Sequence, residues 1–257
     1  MIINPTYEPL RAMLSEPEKL MAQGQIIHLG RNELRRVEVQ GESLCIKRYG
    51  VPGWLNRWIY RHWRTPKGLR AYHNAFRLRE AGLDTPEPIA YIQYGTWWGI
   101  GDSYYICRYE PGQTLYHWGD KPLNAILEEV KAFAVFAARL HEAGLMLSDF
   151  TPGNILRTGN GYTLVDINRM RAGTCSVRQG IRNMAGLWLQ PETADYLAEQ
   201  YACARKAAHP EESIRLFRKN RRAFWRRFTC RHHLKEVIIH TDVDGSRYTY
   251  HFNSTIQ

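Results

Sequence analysis

The stretch that most constrains this 257-residue chain is LMLSDFTPGNILRTGNGYTLVDINRM, which follows directly on a long helix-patterned segment. Asp149 precedes Asn154 by five residues, Pro152 and Gly153 stiffen and bend the loop between them, and Asp166 sits in the apolar run LVDIN. The Asn160-Gly161 pair reads as a hairpin turn that would carry Asp166 back beside the loop. Phosphoryl transfer needs a carboxylate to orient the attacking hydroxyl, and oxygen ligands from two separated points to hold magnesium on nucleotide phosphates. This spacing supplies both. Taken singly, Asp149 and Asn154 would be a helix cap and a turn residue, but an aspartate in an apolar strand is costly to bury without a cation beside it.

The residues upstream arrive in a compatible order. Between residues 25 and 47, QIIHLG, LRRVEVQ and LCIKRY are short β-patterned runs separated by GRNE and QGES, so a three-stranded antiparallel meander is expected, with Lys47 in its last strand. Residues 66–81 read as a helix with Thr65 as N-cap, Pro66 in the first turn, Gly82 as the C-terminal stop, and Leu69, Tyr72, Ala75, Phe76 and Arg79 on a helical stripe. IAYIQYG and SYYICRYE read as two more strands, and EPGQTL reads as a linker. Beyond it, residues 123–140 carry apolar side chains at helical period, stopping at Gly144. The expected class is therefore α+β, with a β-rich first part holding one helix (residues 1–110) and a mostly helical second part (residues 111–257).

Lys47, helix, linker, helix, Asp149, Asn154, Asp166 is the order of parts in a protein kinase, and the register of four features is far more specific than any one of them. The phosphate-covering loop is degenerate, with Gly30, Arg31, Asn32 and Glu33 where three glycines are usual, although its backbone amides and Arg31 could still cradle phosphate. The string DFTPGNIL resembles the catalytic loop of aminoglycoside-phosphotransferase-like and lipopolysaccharide-core kinases. INPTYEPL, HLGRNELR, GLDTPEPIAYI and VDINRMR are similar to the Kdo/WaaP-type lipopolysaccharide kinases, over roughly residues 3–225. The resemblance implies a bilobal protein-kinase-like fold and transfer of the ATP γ-phosphate to a Kdo or heptose hydroxyl of the lipopolysaccharide inner core. It also implies Asp149 as base, Asn154 and Asp166 as Mg2+ ligands, and Lys47, with the Gly30–Asn32 turn, on the nucleotide phosphates. Two alternatives stand beside it: a kinase for a small alcohol or aminoglycoside, and a nucleotide-binding pseudokinase acting as an interaction module.

The sequence departs from the kinase pattern in three further places. The 66–81 helix lacks a mid-helix glutamate to hold Lys47, its central residues being Ala71, Tyr72, His73 and Asn74, so Glu33, Glu38 or Glu80 is the expected substitute. Leu147 and Ser148 stand where histidine and arginine precede the catalytic aspartate, which removes the usual partner of a phosphorylated activation loop. Asn168 replaces the glycine after the metal aspartate, and asparagine tolerates left-handed backbone.

Thirty-five Lys and Arg against 25 Asp and Glu give a formal charge of +10, so polyanions are expected partners. Between Arg215 and Arg231, RLFRKNRRAFWRRFTCR carries eight basic residues and no acidic one. It reads equally as a helix on an anionic membrane surface or as a solvated face on a core-packed helix. GWLNRWIYRHWR, residues 53–64, is a second basic aromatic stretch that favours a membrane-surface substrate. No zinc spacing, RNP-like or KH-like motif is present, so nucleic acid is not an expected partner. Five scattered cysteines suit free thiols in a reducing compartment. The first residues lack a signal-peptide pattern, and AFAVFAA is too short to cross a bilayer, so a cytoplasmic protein or one peripheral on the inner face of the cytoplasmic membrane is expected. The last stretch, KEVIIHTDVDGSRYTYHF, reads as a hairpin turned at Asp244 and Gly245.

Overall fold

Along one strand, Leu44 and Ile46 alternate with Cys45, Lys47 and Tyr49, and this period of two gives the main sheet two different covered faces. The computed structural model describes residues 1–30, 32–50, 65–96, 99–232, 237–239 and 248–250. They divide into two compact units, residues 1–111 with 166–169, and residues 112–165 with 170–257. The short segment beginning at Asp166 thus belongs with the β-rich first unit.

The first unit is built on a six-stranded sheet in the order β1-β5-β6-β4-β3-β2, every pairing antiparallel. Its strands are β1 (Ile2–Ile3), β2 (Gln25–Leu29), β3 (Asn32–Val39), β4 (Glu42–Tyr49), β5 (Pro88–Thr96) and β6 (Gly99–Arg108). The expected meander is therefore present, with Asn32 and Glu33 in the strand rather than in the turn. Two short helices, α1 (Arg11–Leu14) and α2 (Pro17–Gln23), accompany a first face on which Tyr7, Leu10, Leu14 and Met21 pack with Val37, Leu44, Ile46, Ile92 and Ile106. On the other face, Tyr49, Tyr91, Tyr105 and Cys107 pack against Ala71 and Tyr72 of α3 (Lys67–Glu80). Lys47 points to the α3 side because it shares the alternation of Cys45 and Tyr49.

Helix α3 departs from expectation at its start. Pro66, extended at ψ 150°, is the N-cap, and Thr65 lies outside because a residue before proline is pushed away from helical backbone. Its buried face is Gly68, Ala71, Tyr72, Asn74, Ala75 and Leu78, whereas Arg79 is exposed. The stop is as expected: Gly82 is left-handed at φ +68°, and the Leu83 amide donates to the Leu78 carbonyl at 2.9 Å.

In the second unit β7 (Gln113–Thr114) joins β9 (Ile155–Thr158) and β10 (Gly161–Leu164). Helix α4 (Leu123–Glu142) leads into β8 (Leu145–Leu147), which pairs with β11 (Met170–Ala172). Helices α5 (Val177–Asn183), α6 (Pro191–Ala204) and α7 (Pro210–His232) follow, then the paired strands β12 (Val237–Ile239) and β13 (Tyr248–Tyr250). The β9–β10 loop is Gly159 and Asn160 rather than Asn160 and Gly161, since Gly161 already pairs with Thr158. The turn of the terminal hairpin and the 53–64 stretch lie outside the described residues.

The basic segment is helical, and its aromatic side turns inward. Phe217 is fully buried, and Trp225 packs with Trp188, Tyr116, Phe224 and Phe228. Arg215, Lys219, Arg222 and Arg226 remain exposed, at i, i+4, i+7 and i+11, on one side of α7. The aromatics therefore belong to the core, and only the cationic stripe is left for a partner.

Candidate active site

In the first unit, the Lys47 ammonium pairs with the Asp166 carboxylate. Lys47 is anchored from both ends: its strand is hydrogen-bonded on either side by β3 and β6, and its ammonium lies 5.3 Å from the Tyr49 ring centre. Burial, then the nearby Asp166 carboxylate, pushes the Tyr49 phenol well above its ordinary range. Glu33, Glu38 and Glu80 do not serve Lys47. Glu33 is engaged by Arg35 and Arg48, Glu38 by Arg36, and Glu80 is exposed near the end of α3.

Asp166 itself is left-handed, with φ +51°. A non-glycine residue held there costs about 1 kcal/mol or more and persists only where its surroundings fix it. Two contacts besides Lys47 do so. The Asn168 carboxamide donates to Asp166 Oδ1, and the Asn74 carboxamide donates 2.8 Å to the Ile167 carbonyl, one residue beyond. The left-handed residue is thus the aspartate and not Asn168, whose side chain instead orients that carboxylate. Asn168 is 5% exposed, and its Oδ1 finds no hydrogen-bond partner among the described residues. A buried orphan acceptor of this kind costs roughly 1–3 kcal/mol, which marks a place shaped by something other than stability.

In the second unit, the loop after β8 alternates exposed and buried residues. Asp149 is exposed, while Phe150 is buried, its ring 5.9 Å from Phe133 and nearly parallel to it. Pro152 is buried as well. The Asn154 carboxamide nitrogen donates to the Asp149 carbonyl at 2.9 Å and to Thr151 Oγ1 at 3.3 Å, closing the loop on itself. That commitment of the nitrogen leaves Asn154 Oδ1 as the end of the side chain with no hydrogen bond among the described residues. The Asn154 carbonyl receives the Val165 amide at 3.0 Å, so the residue before Asp166 is tied to the loop. Gly153 has a steric reason: a Cβ there would sit 2.7 Å from the Tyr116 hydroxyl.

A buried polar chain holds this loop from behind. Arg205 donates to the Tyr201 hydroxyl at 2.8 Å, which lies 2.9 Å from His141 Nδ1, while His141 Nε2 lies 3.1 Å from Asn183 Oδ1. The Asn183 carboxamide then donates 2.7 Å to the carbonyl of Leu147, two residues before Asp149. Because Arg205 can only donate and Asn183, its nitrogen turned to Leu147, presents to His141 the oxygen that can only accept, the directions are fixed: Tyr201 donates to Nδ1, and His141 carries its proton on Nε2. Burial above all holds His141 at a pKa of about 4, the nearby Arg205 charge acting the same way and the Asn183 hydrogen bond opposing both. Leu147 is itself buried, as its apolar replacement of a kinase histidine requires.

Of the remaining sequence candidates, Gly30 closes β2, and Asn32 opens β3 opposite Tyr49, at the end of the Lys47 strand. Arg31 lies outside the described residues.

The chain superposes on the solved structure of WaaP in complex with acyl carrier protein with a TM-score of 0.58, covering 87% of this chain and 98% of that one at 18% sequence identity. The fold is protein-kinase-like. No protein-family model matches the sequence, and no curated protein matches it. The likeness therefore lies in architecture; Asn183 and His141 are residues that motif spacing did not single out, and Asn74 and Asn168 stand out in the sequence only as departures from the kinase pattern. The available signal was an amide in the middle of an otherwise apolar helix face at Asn74, between Ala71 and Ala75.

Proposed function

We propose that the chain is an ATP-dependent phosphotransferase acting on a sugar hydroxyl of the lipopolysaccharide inner core. The observation that carries this reading is the Lys47–Asp166 pair on a left-handed aspartate, in a WaaP-like fold whose loop presents Asp149 and Asn154 in kinase order. Asp149 would orient the acceptor hydroxyl and take up its proton, and its exposure, with no side chain paired to its carboxylate among the described residues, leaves it available.

Asn154 Oδ1 and the Asp166 carboxylate are hard oxygen donors of the kind magnesium takes, and the tied-back Asn154 nitrogen presents the correct end of that side chain. ATP bound with magnesium would supply the phosphoryl group, with Lys47 and the backbone at Gly30 and Asn32 on the phosphates. The exposed stripe of Arg215, Lys219, Arg222 and Arg226 supports an anionic partner, either the phosphates of a membrane-surface acceptor or an acidic protein. The acyl carrier protein bound to WaaP makes a carrier protein the first protein partner to try. No described helix is long and apolar enough to cross a membrane, and the reading places the chain in the cytoplasm or on the inner membrane surface.

The deciding experiment is ADP release from ATP with magnesium and deacylated lipopolysaccharide core. Turnover by the wild type that collapses in Asp149→Asn supports the reading. Equal ADP release by the two proteins overturns it.

A further inference from the structure

The interior of α3 holds an asparagine where stability alone would place an apolar residue. Asn74 is 5% exposed and stands on the same helix face as Ala71, Ala75 and Leu78. Asparagine is a poor helix former, and its carboxamide is expensive to bury, so the residue makes physical sense only through what it bonds. Its nitrogen donates to the backbone carbonyl of Ile167, 93 residues along the chain. Ile167 and Asn168 are both buried, which makes this a fixed attachment rather than a surface contact.

The consequence reaches Asp166. A left-handed residue relaxes if the backbone after it is free to rotate, and the Asn74 bond is placed to prevent that. Lys47, meanwhile, already has Asp166 as its partner, so α3 has no need of a carboxylate to hold the lysine. We infer that Asn74 is a positioning residue for Asp166, and that through it α3 sets the affinity of the site for a magnesium–nucleotide complex. This rests on the phosphotransferase reading above and adds to it the element that takes over from a Lys–Glu pair. Asn74 touches neither nucleotide nor metal in this scheme; it acts by holding the Asp166 carboxylate where a cation can use it.

The test uses the full chain and a non-hydrolysable ATP analogue, with its affinity measured by titration calorimetry at increasing magnesium and in its absence. In Asn74→Ala, the magnesium needed for half-maximal analogue binding is expected to rise about tenfold, while metal-free affinity stays within twofold of the wild type. Asn74→Asp has the same shape but turns an acceptor towards the Ile167 carbonyl, and it is expected to be impaired at least as much. It decides the matter if the alanine variant does not fold. A purely structural role would lower the melting temperature or both affinities together, without separating them. A folded variant with a wild-type magnesium requirement overturns the inference alone. A wild type that binds no analogue at any magnesium concentration overturns the phosphotransferase reading, and the inference with it.

Discussion

The Lys47 ammonium on β4 is paired with the Asp166 carboxylate, 119 residues further along the chain, where the kinase pattern has a glutamate on the helix and the sequence offered Glu33, Glu38 or Glu80 instead. The pair explains how a kinase-like sheet can dispense with that glutamate, since the lysine is held by the group whose charge a metal would share. Replacing Lys47 by methionine keeps most of the stem volume and removes the charge. The expected result is a loss of about 10²–10³ in kcat for phosphoryl transfer, the range found when one preorganised electrostatic contact is deleted. Steady-state ADP release with the acceptor saturating measures it, and a loss below threefold would detach Lys47 from the chemistry.

Asp149, unlike Lys47, is exposed. Its carboxylate is solvent-facing and supports no described side-chain contact, while Phe150 and Pro152 hold the loop. Asp149→Asn is therefore expected to leave stability within about 0.5 kcal/mol of the wild type, as exposed substitutions do. The same change should lower kcat by about 10²–10⁴, the usual contribution of a positioned general base. Denaturant melts and single-turnover kinetics on the same preparations separate the two effects. A variant that loses activity only because it unfolds would show both changes together.

The parts of the site legible in the sequence are those set by local chemistry. The alternation in LCIKRY set the strand that carries Lys47 and its face; Gly82 ended α3 as its left-handed backbone requires; and the DFTPGN string marked a tight loop with Asp149 and Asn154 at its two ends. What escaped depends on contacts far apart in the chain. The bond of Asn74 to Ile167 and that of Asn183 to Leu147 link residues whose proximity no periodicity reports, and Asp166 rather than Asn168 takes the left-handed conformation because tertiary contacts stabilise it there. The basic aromatic run between Arg215 and Arg231 left two readings open, and the structure supports the core-packed helix with a solvated face: at helical period its aromatics and its cations lie on different faces, so a single stretch serves core and surface at once.

That division predicts opposite phenotypes on the two sides of α7. Trp225→Ala removes a ring that is 4% exposed and packs with Trp188, Phe224 and Phe228, and it should cost about 3–5 kcal/mol. The pair Arg222→Glu and Arg226→Glu lies on the exposed stripe and should leave the melting temperature nearly unchanged, while weakening association with anionic vesicles or with an acidic carrier protein. Thermal melts and co-sedimentation at low and physiological salt check both. Vesicle and carrier binding that both survive the double charge reversal would free the stripe of any role in partner recognition.

His141 makes the stability of the second unit depend on pH with a definite sign. Its folded pKa of about 4 lies below the ordinary value of 6.5, so the unfolded chain takes up its proton first as pH falls. The stabilisation is fully present above about pH 6.5, declines between there and pH 4, and below pH 4 is lost. A shift of that size corresponds to roughly 3 kcal/mol. Protonation would also place an N–H on Nδ1 facing a Tyr201 hydroxyl that already donates in that direction, reversing a link in the chain that ends on the Leu147 carbonyl. His141→Gln should therefore flatten the stability profile between pH 6.5 and 4 while lowering stability at pH 7.5. Denaturant unfolding of both proteins across that range measures the difference, and parallel profiles would show that some other group carries the acid sensitivity.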